Sequence, residues 1–154
     1  MSVGVLFVCL GNICRSPMAE FVFRDMVELE GLSGSVRCES CGTAAYHIGE
    51  PPDRRGARTM AQHGIDCSGK RARRICSADF DYFDYIVCMD GSNLRDVEYM
   101  APHGCRAEMC TLMSFAGGGD VDDPWYTGDF ERTFRDVSRG CRGLIDHLKG
   151  SGKL

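Results

Sequence analysis

A chain of 154 residues with 44% apolar and 26% charged side chains has the size and balance of one folded domain, which excludes disordered and collagen-like classes. Its 18 basic and 22 acidic residues leave a formal net charge of −4, which argues against a nucleic-acid binder held by bulk positive charge. The apolar stretch Val5–Leu10 is too short to span a bilayer and lacks the basic lead-in and small-residue cleavage site of an export signal, so no membrane partner is expected and the ten cysteines read as reduced thiols in a cytoplasmic protein.

No internal repeat, low-complexity tract or linker divides the chain, so one domain over residues 1–154 is expected. Val3–Val8 is rich in β-branched and aromatic residues, as suits a strand buried on both faces. After a polar turn, Ser16-Pro17 reads as an N-cap followed by proline at the first helical position, and Ala19, Val22, Phe23 and Met26 give that helix an apolar face. Val36 and Cys38 alternate with Arg37 and Glu39, predicting a second strand before Gly42. Pro51-Pro52-Asp53 leads into a helix that stops at Gly64. Tyr85–Met89 is another buried strand, with Ser92 placed to cap the helix after it, and Ala107–Met113 is a fourth. Phe130, Phe134, Val137, Cys141, Leu144, Ile145 and Leu148 form one apolar stripe on a C-terminal helix. Strands alternating with helices predict an α/β fold: a doubly wound sheet of four parallel strands flanked by helices, with its ligand site beyond the C-terminal ends of the strands.

The loop after the first strand carries the chemistry. Cys9-Leu10-Gly11-Asn12-Ile13-Cys14-Arg15-Ser16 places five residues between a cysteine and an arginine and runs straight into a helix. Such a loop can wrap one tetrahedral anion in its backbone N–H groups, with the helix N-terminus adding positive potential. Gly11 is expected to supply a backbone angle that other residues resist, and Arg15 a planar fork for two phosphoryl oxygens. The same positive surroundings favour the thiolate of Cys9, a nucleophile placed under a bound phosphate. This is not the Walker-type loop, which needs a glycine-lysine pair before Ser or Thr. A cysteine ending a strand is ordinarily a small core residue, and an arginine opening a helix is ordinarily solvated. Cys-x5-Arg-Ser between a strand and a helix, with Gly and Asn inside, outweighs that plainer account.

The stretch VLFVCLGNICRSPMAE resembles the signature of the low-molecular-weight protein tyrosine phosphatases, and the similarity continues through SCGTAAYHIGEPPDRRG, FDYIVCMDGSNLRD and DDPWYTGDFE, nearly the whole chain. The resemblance, to a bacterial-type member, implies Cys9 as nucleophile, Arg15 as the phosphate-binding arginine and Asp123, directly before Pro124, as general acid. It implies Leu10, Gly11, Asn12, Ile13, Cys14 and Ser16 as the rest of the phosphate loop. Ser16 would hydrogen-bond the nucleophilic sulfur, and Asn12 with Ser40 would hold the loop's shape. Tyr46, Trp125 and Tyr126 would wall a cleft for an aryl phosphate, and Cys14 would be a redox partner of Cys9. The implied reaction is hydrolysis of phosphotyrosine and aryl phosphate monoesters through a cysteinyl-phosphate intermediate, with no metal or other cofactor. The implied partners are tyrosine-phosphorylated proteins, with a tyrosine kinase as one candidate, and the assembly a monomer or weak homodimer.

Two positions depart from the family pattern. Gly69-Lys70-Arg71 stands where the family often has a histidine linked to the polar network behind the loop, and His47 occupies a cleft-rim position that varies among relatives. The basic run Lys70-Arg71-Ala72-Arg73-Arg74, with Arg54, Arg55 and Arg58 upstream, is expected to be a solvated face. Cys38-x2-Cys41 with His103, Cys105 and Cys110 superficially suggests zinc, but Cys38 falls in a predicted strand. Arsenate reduction on the same kind of loop needs two further relay cysteines; Cys88 could be the first, but Arg95 stands where the second is expected. Asp122 is the rival of Asp123, since most acids in such a turn are solvated.

Overall fold

Seven consecutive buried residues, Val3–Cys9, form β1, the first strand of the computed structural model, which describes residues 2–154. Its alternate side chains serve two cores. Val5 and Phe7 pack with Met18, Phe23, Val137 and Leu144, whereas Leu6 and Val8 pack with Ile75, Phe80, Ile86 and Val97. Phe7 and Phe23 meet edge to face at 5.3 Å, and burying each ring contributes about 1.5–3 kcal/mol.

β2 (Val36–Gly42) runs parallel to β1, from Val36 opposite Val3 to Gly42 opposite Cys9. β3 (Tyr85–Cys88) lies parallel on the other side of β1, and β4 (Glu108–Thr111) parallel to β3, giving the order β2-β1-β3-β4. Strand order reverses between β1 and β3, where a doubly wound sheet opens its ligand crevice. α1 (Arg15–Leu29), α2 (Arg54–Gln62) and the long α6 (Phe130–Gly150) pack together; α3 (Ser77–Tyr82) and α4 (Gly91–Met100) contribute to the second core; α5 (Pro124–Thr127) is a single turn at the crevice. The expected four-stranded parallel α/β sheet is the observed one.

Several local expectations need correction. α1 begins at Arg15, one residue before the expected cap, and Ser16 does not cap it because its hydroxyl is turned onto Cys9. α4 is capped by Asp90, which accepts from the Asn93 N–H at 2.7 Å, rather than by Ser92. The fourth strand stops at Thr111, because Leu112 and Met113 enter a 3₁₀ turn, Leu112–Phe115, that drives both into the core. The short helices α3 and α5 carry too few residues to show a periodicity. Asp53 does open α2, accepting from the Arg55 N–H at 2.9 Å, and Gly64 follows its end at φ +79°.

Candidate active site

Between β1 and α1 the chain turns tightly through Asn12, which sits at φ +59° and is the one non-glycine residue with positive φ among the described residues. Asparagine tolerates this region better than most residues, and here its amide is held on both ends. Oδ1 accepts from the Arg73 N–H at 3.0 Å, while Nδ2 donates to Ser16 Oγ at 2.8 Å and Ser40 Oγ at 3.0 Å. Gly11, expected to supply the unusual angle, does not adopt it. A Cβ there would stand 2.9 Å from Cδ2 of His47, so the ring would have to shift to admit one.

The turn aims the Asn12 N–H at Cys9 Sγ, 3.3 Å away. Ser16 Oγ lies 3.0 Å from the same sulfur. Because that oxygen already accepts from Asn12, its hydroxyl proton is available to a sulfur anion, with the Cys41 carbonyl at 3.3 Å as the other acceptor. Asn12 and Ser16 therefore lie behind the loop, shaping it and contacting the sulfur, and are not in the cleft wall.

Arg15 is buried beneath the cleft. Its Nη1 donates to Asp90 Oδ2 at 2.7 Å and to the Val121 carbonyl at 3.0 Å, and its Nη2 lies 3.5 Å from Asp123 Oδ2. Burial works against the guanidinium charge, but the sulfur of Cys9 and the carboxylates of Asp90 and Asp123 outweigh it and hold Arg15 above its ordinary value. Arg15 follows β1 and Asp90 follows β3, so the pair forms where strand order reverses.

A second layer supports the loop. Ser40 Oγ donates to Glu20 Oε1 at 2.6 Å, and Lys70 Nζ reaches both that oxygen, at 3.2 Å, and the Ser40 carbonyl, at 2.8 Å. Arg24 pairs with the other Glu20 oxygen at 2.6 Å. The basic run is the solvated face expected of it at Arg54, Arg55, Arg58, Arg71 and Arg74, which stand exposed, although Arg74 also donates to the Thr43 carbonyl at 3.0 Å. Lys70 and Arg73 depart from that expectation: Lys70 is half-buried against Glu20, and Arg73 pairs with Asp79 at 2.9 Å.

The cleft holds about 220 Å³ and is lined by Cys9, Leu10, Gly11, Ile13, Cys14 and Arg15 at its floor and by Tyr46, His47, Asp123, Trp125 and Tyr126 around it. Asp123 caps α5 through the Trp125 N–H, 3.0 Å from its Oδ1, which leaves Oδ2 toward Arg15. Asp122 instead pairs with Arg132 at 3.3 Å on the surface. Tyr46 and Tyr126 are largely exposed and Trp125 about half (51%), as walls of an open cleft are. His47 is a partly exposed loop residue that also lines the cleft. Its Nδ1 is 3.0 Å from Glu50 Oε2 and its ring centroid is 6.0 Å from that of Trp125.

Cys14 lines the cleft beside Cys9, yet burial, with repulsion from Asp53 and Cys9, pushes its thiol up to about 12. Cys38 and Cys41 sit three residues apart in a strand and face opposite sides: Cys38 toward the Glu20 carbonyl, Cys41 into the core beneath Leu6 and Val8. They do not form a ligand pair.

Three contributors escaped the sequence reading, Asp90, Val121 and Glu20, while Lys70, which stands where the family often has a histidine, does join the network behind the loop. An aspartate directly after a buried strand is a fair signal for Asp90, given the crevice rule. Val121 acts through its carbonyl, which no side-chain pattern reveals, and Glu20 lay inside the quoted signature without a chemical role of its own.

A family model described as "Low molecular weight phosphotyrosine protein phosphatase" matches residues 4–154. The chain is 38% identical over 155 residues to the low molecular weight protein-tyrosine-phosphatase YfkJ of Bacillus subtilis, covering 99% of both chains. It is 45% identical over 149 residues to the human low molecular weight phosphotyrosine protein phosphatase, covering 93% of this chain and 94% of that one. The crystal structure of YfkJ superposes with a TM-score of 0.93, covering 98% of this chain and 97% of that one. With the loop, the arginine and the cleft on one face of the same fold, the chain belongs to the low molecular weight phosphotyrosine protein phosphatases, a family of phosphoric monoester hydrolases.

Proposed function

We propose that this chain hydrolyses phosphotyrosine in proteins, and aryl phosphate monoesters generally, through a cysteinyl-phosphate intermediate with Asp123 as general acid. The observation that carries the reading is the convergence on one cleft of the Cys9 sulfur, the Arg15 guanidinium and the Asp123 carboxyl, under three aromatic side chains.

In the first step Cys9 sulfur attacks phosphorus, the bond from phosphorus to the aryl oxygen breaks, and Asp123 gives its proton to that oxygen. Arg15 and the loop N–H groups hold the equatorial oxygens, carrying charge that would otherwise build up without a partner. In the second step water attacks phosphorus, Asp123 takes the water's proton, and the phosphorus–sulfur bond breaks. The Ser16 hydroxyl and the Asn12 N–H stabilise the sulfur anion as it leaves. The substrates are tyrosine-phosphorylated cytoplasmic proteins, a setting that keeps the nucleophile reduced.

Arsenate reduction by a cysteine relay fits less well. Cys88 is wholly buried in β3, and burial pushes its thiol far up, so it stands in the core and not on a mobile relay segment.

The test is turnover of 4-nitrophenyl phosphate and a phosphotyrosyl peptide by wild type and Cys9→Ser, with and without chelator. Cys9→Ser should bind inorganic phosphate while losing turnover. A variant with wild-type rate, or activity abolished by chelator, contradicts the mechanism.

A further inference from the structure

Between the 3₁₀ turn Leu112–Phe115 and Asp123 the chain passes through Gly117, Gly118 and Gly119, at φ +92°, +93° and +94°. Nothing lies within 4 Å of where a Cβ would stand on any of the three. The Gly118 N–H donates to the Met113 carbonyl at 2.7 Å, but beyond that bond a tract of unpacked glycines offers little resistance to rotation and does little to set the direction of the segment that follows. Something downstream must do so.

The next two residues supply the anchors. Asp120 Oδ1 accepts from the Gly91 N–H at 3.1 Å, and the Val121 N–H donates to the Met89 carbonyl at 2.9 Å. The Val121 carbonyl accepts from Arg15, and its side chain is buried. Beyond them Asp123 caps α5 and faces Arg15. The Gly91 N–H is one of the donors that a helix start leaves without an intrahelical partner. The Asp90 carboxylate cannot take it, being committed to Asn93 and Arg15. Asp120 therefore ties the segment to the start of α4, on the glycine side of the bonds that Val121 makes.

We propose that Asp120 is a positioning residue for the general acid: its bond to Gly91 pins a glycine-hinged segment so that Asp123 stands at the leaving-group oxygen. The inference rests on Asp123 being that acid. Asp120 lines no part of the cleft, so it acts through the segment it pins, which carries Asp123 and also the Val121 carbonyl that accepts from Arg15. A loss that reaches Asp123 alone shows only where a proton must be delivered, whereas one that also moves Arg15 shows on both esters and in orthovanadate inhibition.

The experiment compares kcat/KM for phenyl phosphate, whose leaving group needs a proton, and 2,4-dinitrophenyl phosphate, whose leaving group does not. Wild type, Asp120→Ala, Asp120→Asn and Asp123→Ala are measured together, with orthovanadate inhibition and melting temperature as controls. Asp120→Ala is expected to lower kcat/KM about fivefold or more for phenyl phosphate and to stay within about twofold of wild type for the dinitrophenyl ester. Asp120→Asn, which keeps an acceptor oxygen, is expected to recover most of the loss, and orthovanadate inhibition to be unchanged. Equal losses on both esters, or no loss on phenyl phosphate, overturn the inference. If Asp123→Ala shows the leaving-group dependence and Asp120→Ala does not, the positioning role falls and the acid assignment stands. If Asp123→Ala is itself flat across the two esters, both fall.

Discussion

Lys70 Nζ stands 3.2 Å from Glu20 Oε1, and from that ion pair an unbroken set of hydrogen bonds runs through Ser40, Asn12 and Ser16 to the sulfur of Cys9. The two side chains are only 10% and 5% exposed, so the pair is shielded from solvent and its loss leaves a buried carboxylate short of one cation.

Lys70→Met is accordingly expected to destabilise the fold by about 3 kcal/mol in urea unfolding, since Arg24 still faces Glu20. Its kcat/KM should fall about tenfold for esters with good and poor leaving groups alike, because the loop and not the acid is disturbed. Wild-type stability and rate in this variant would show that the pair does not support the loop.

Asp90 holds Arg15 at 2.7 Å and caps α4, two roles that one substitution can separate. Asp90→Asn keeps an oxygen for the Asn93 N–H but removes the carboxylate that faces the guanidinium. Phosphate affinity and kcat/KM are expected to drop about tenfold or more, with little change in melting temperature. Binding of inorganic phosphate and steady-state kinetics check both halves; a large stability loss with unchanged phosphate affinity would reverse the assignment.

Oxidative protection through a Cys9–Cys14 bridge is expected to depend on pH. Peroxide converts Cys9 to a sulfenic acid, and Cys14 as a thiolate attacks that sulfur, displacing hydroxide to form the disulfide. Burial, the largest cause, and Asp53 keep the Cys14 thiol pushed up after Cys9 has lost its charge as a sulfenic acid, so the thiolate is scarce at neutrality and its fraction grows about tenfold per pH unit. Bridge formation after a peroxide pulse should therefore quicken about tenfold per unit over the neutral range, read by peptide mapping. Cys14→Ser should lose the activity that reductant restores in wild type. A pH-independent rate, or full recovery in Cys14→Ser, would contradict this.

Preference for phosphotyrosine over phosphoserine and phosphoarginine follows from the walls. Tyr46, Trp125 and Tyr126 can stack a phenyl ring, while Ile13 lines the floor with no acceptor for a guanidinium. Competition kinetics with the three phosphorylated substrates should rank phosphotyrosine first. Ile13→Thr, which adds an acceptor, should narrow the gap to phosphoarginine; phosphoarginine as the best substrate of the wild type would refute the reading.

What the sequence determined by itself was local. Cys9 to Ser16 are contiguous, so their spacing already fixes a loop between strand and helix, and the alternation of apolar runs already calls for a parallel sheet. Asp123 stood out through Pro124 and the family resemblance, and the structure separates it from Asp122 by the partners each finds, Arg15 and Arg132. Tertiary structure alone decided which distant groups close around the loop. Asp90 and Val121 lie 75 and 106 residues from Arg15, and Lys70 lies 30 from Ser40. No period or propensity links residues so far apart. The same reason explains the misread caps and glycine: Ser16 has a cap's chemistry, but a buried sulfur claimed its hydroxyl, and Gly11 has a turn's freedom, but Asn12, held by Ser16, Ser40 and Arg73, took the left-handed angle. A residue type limits what a side chain can do; the neighbour that packing brings to it decides which of those things it does.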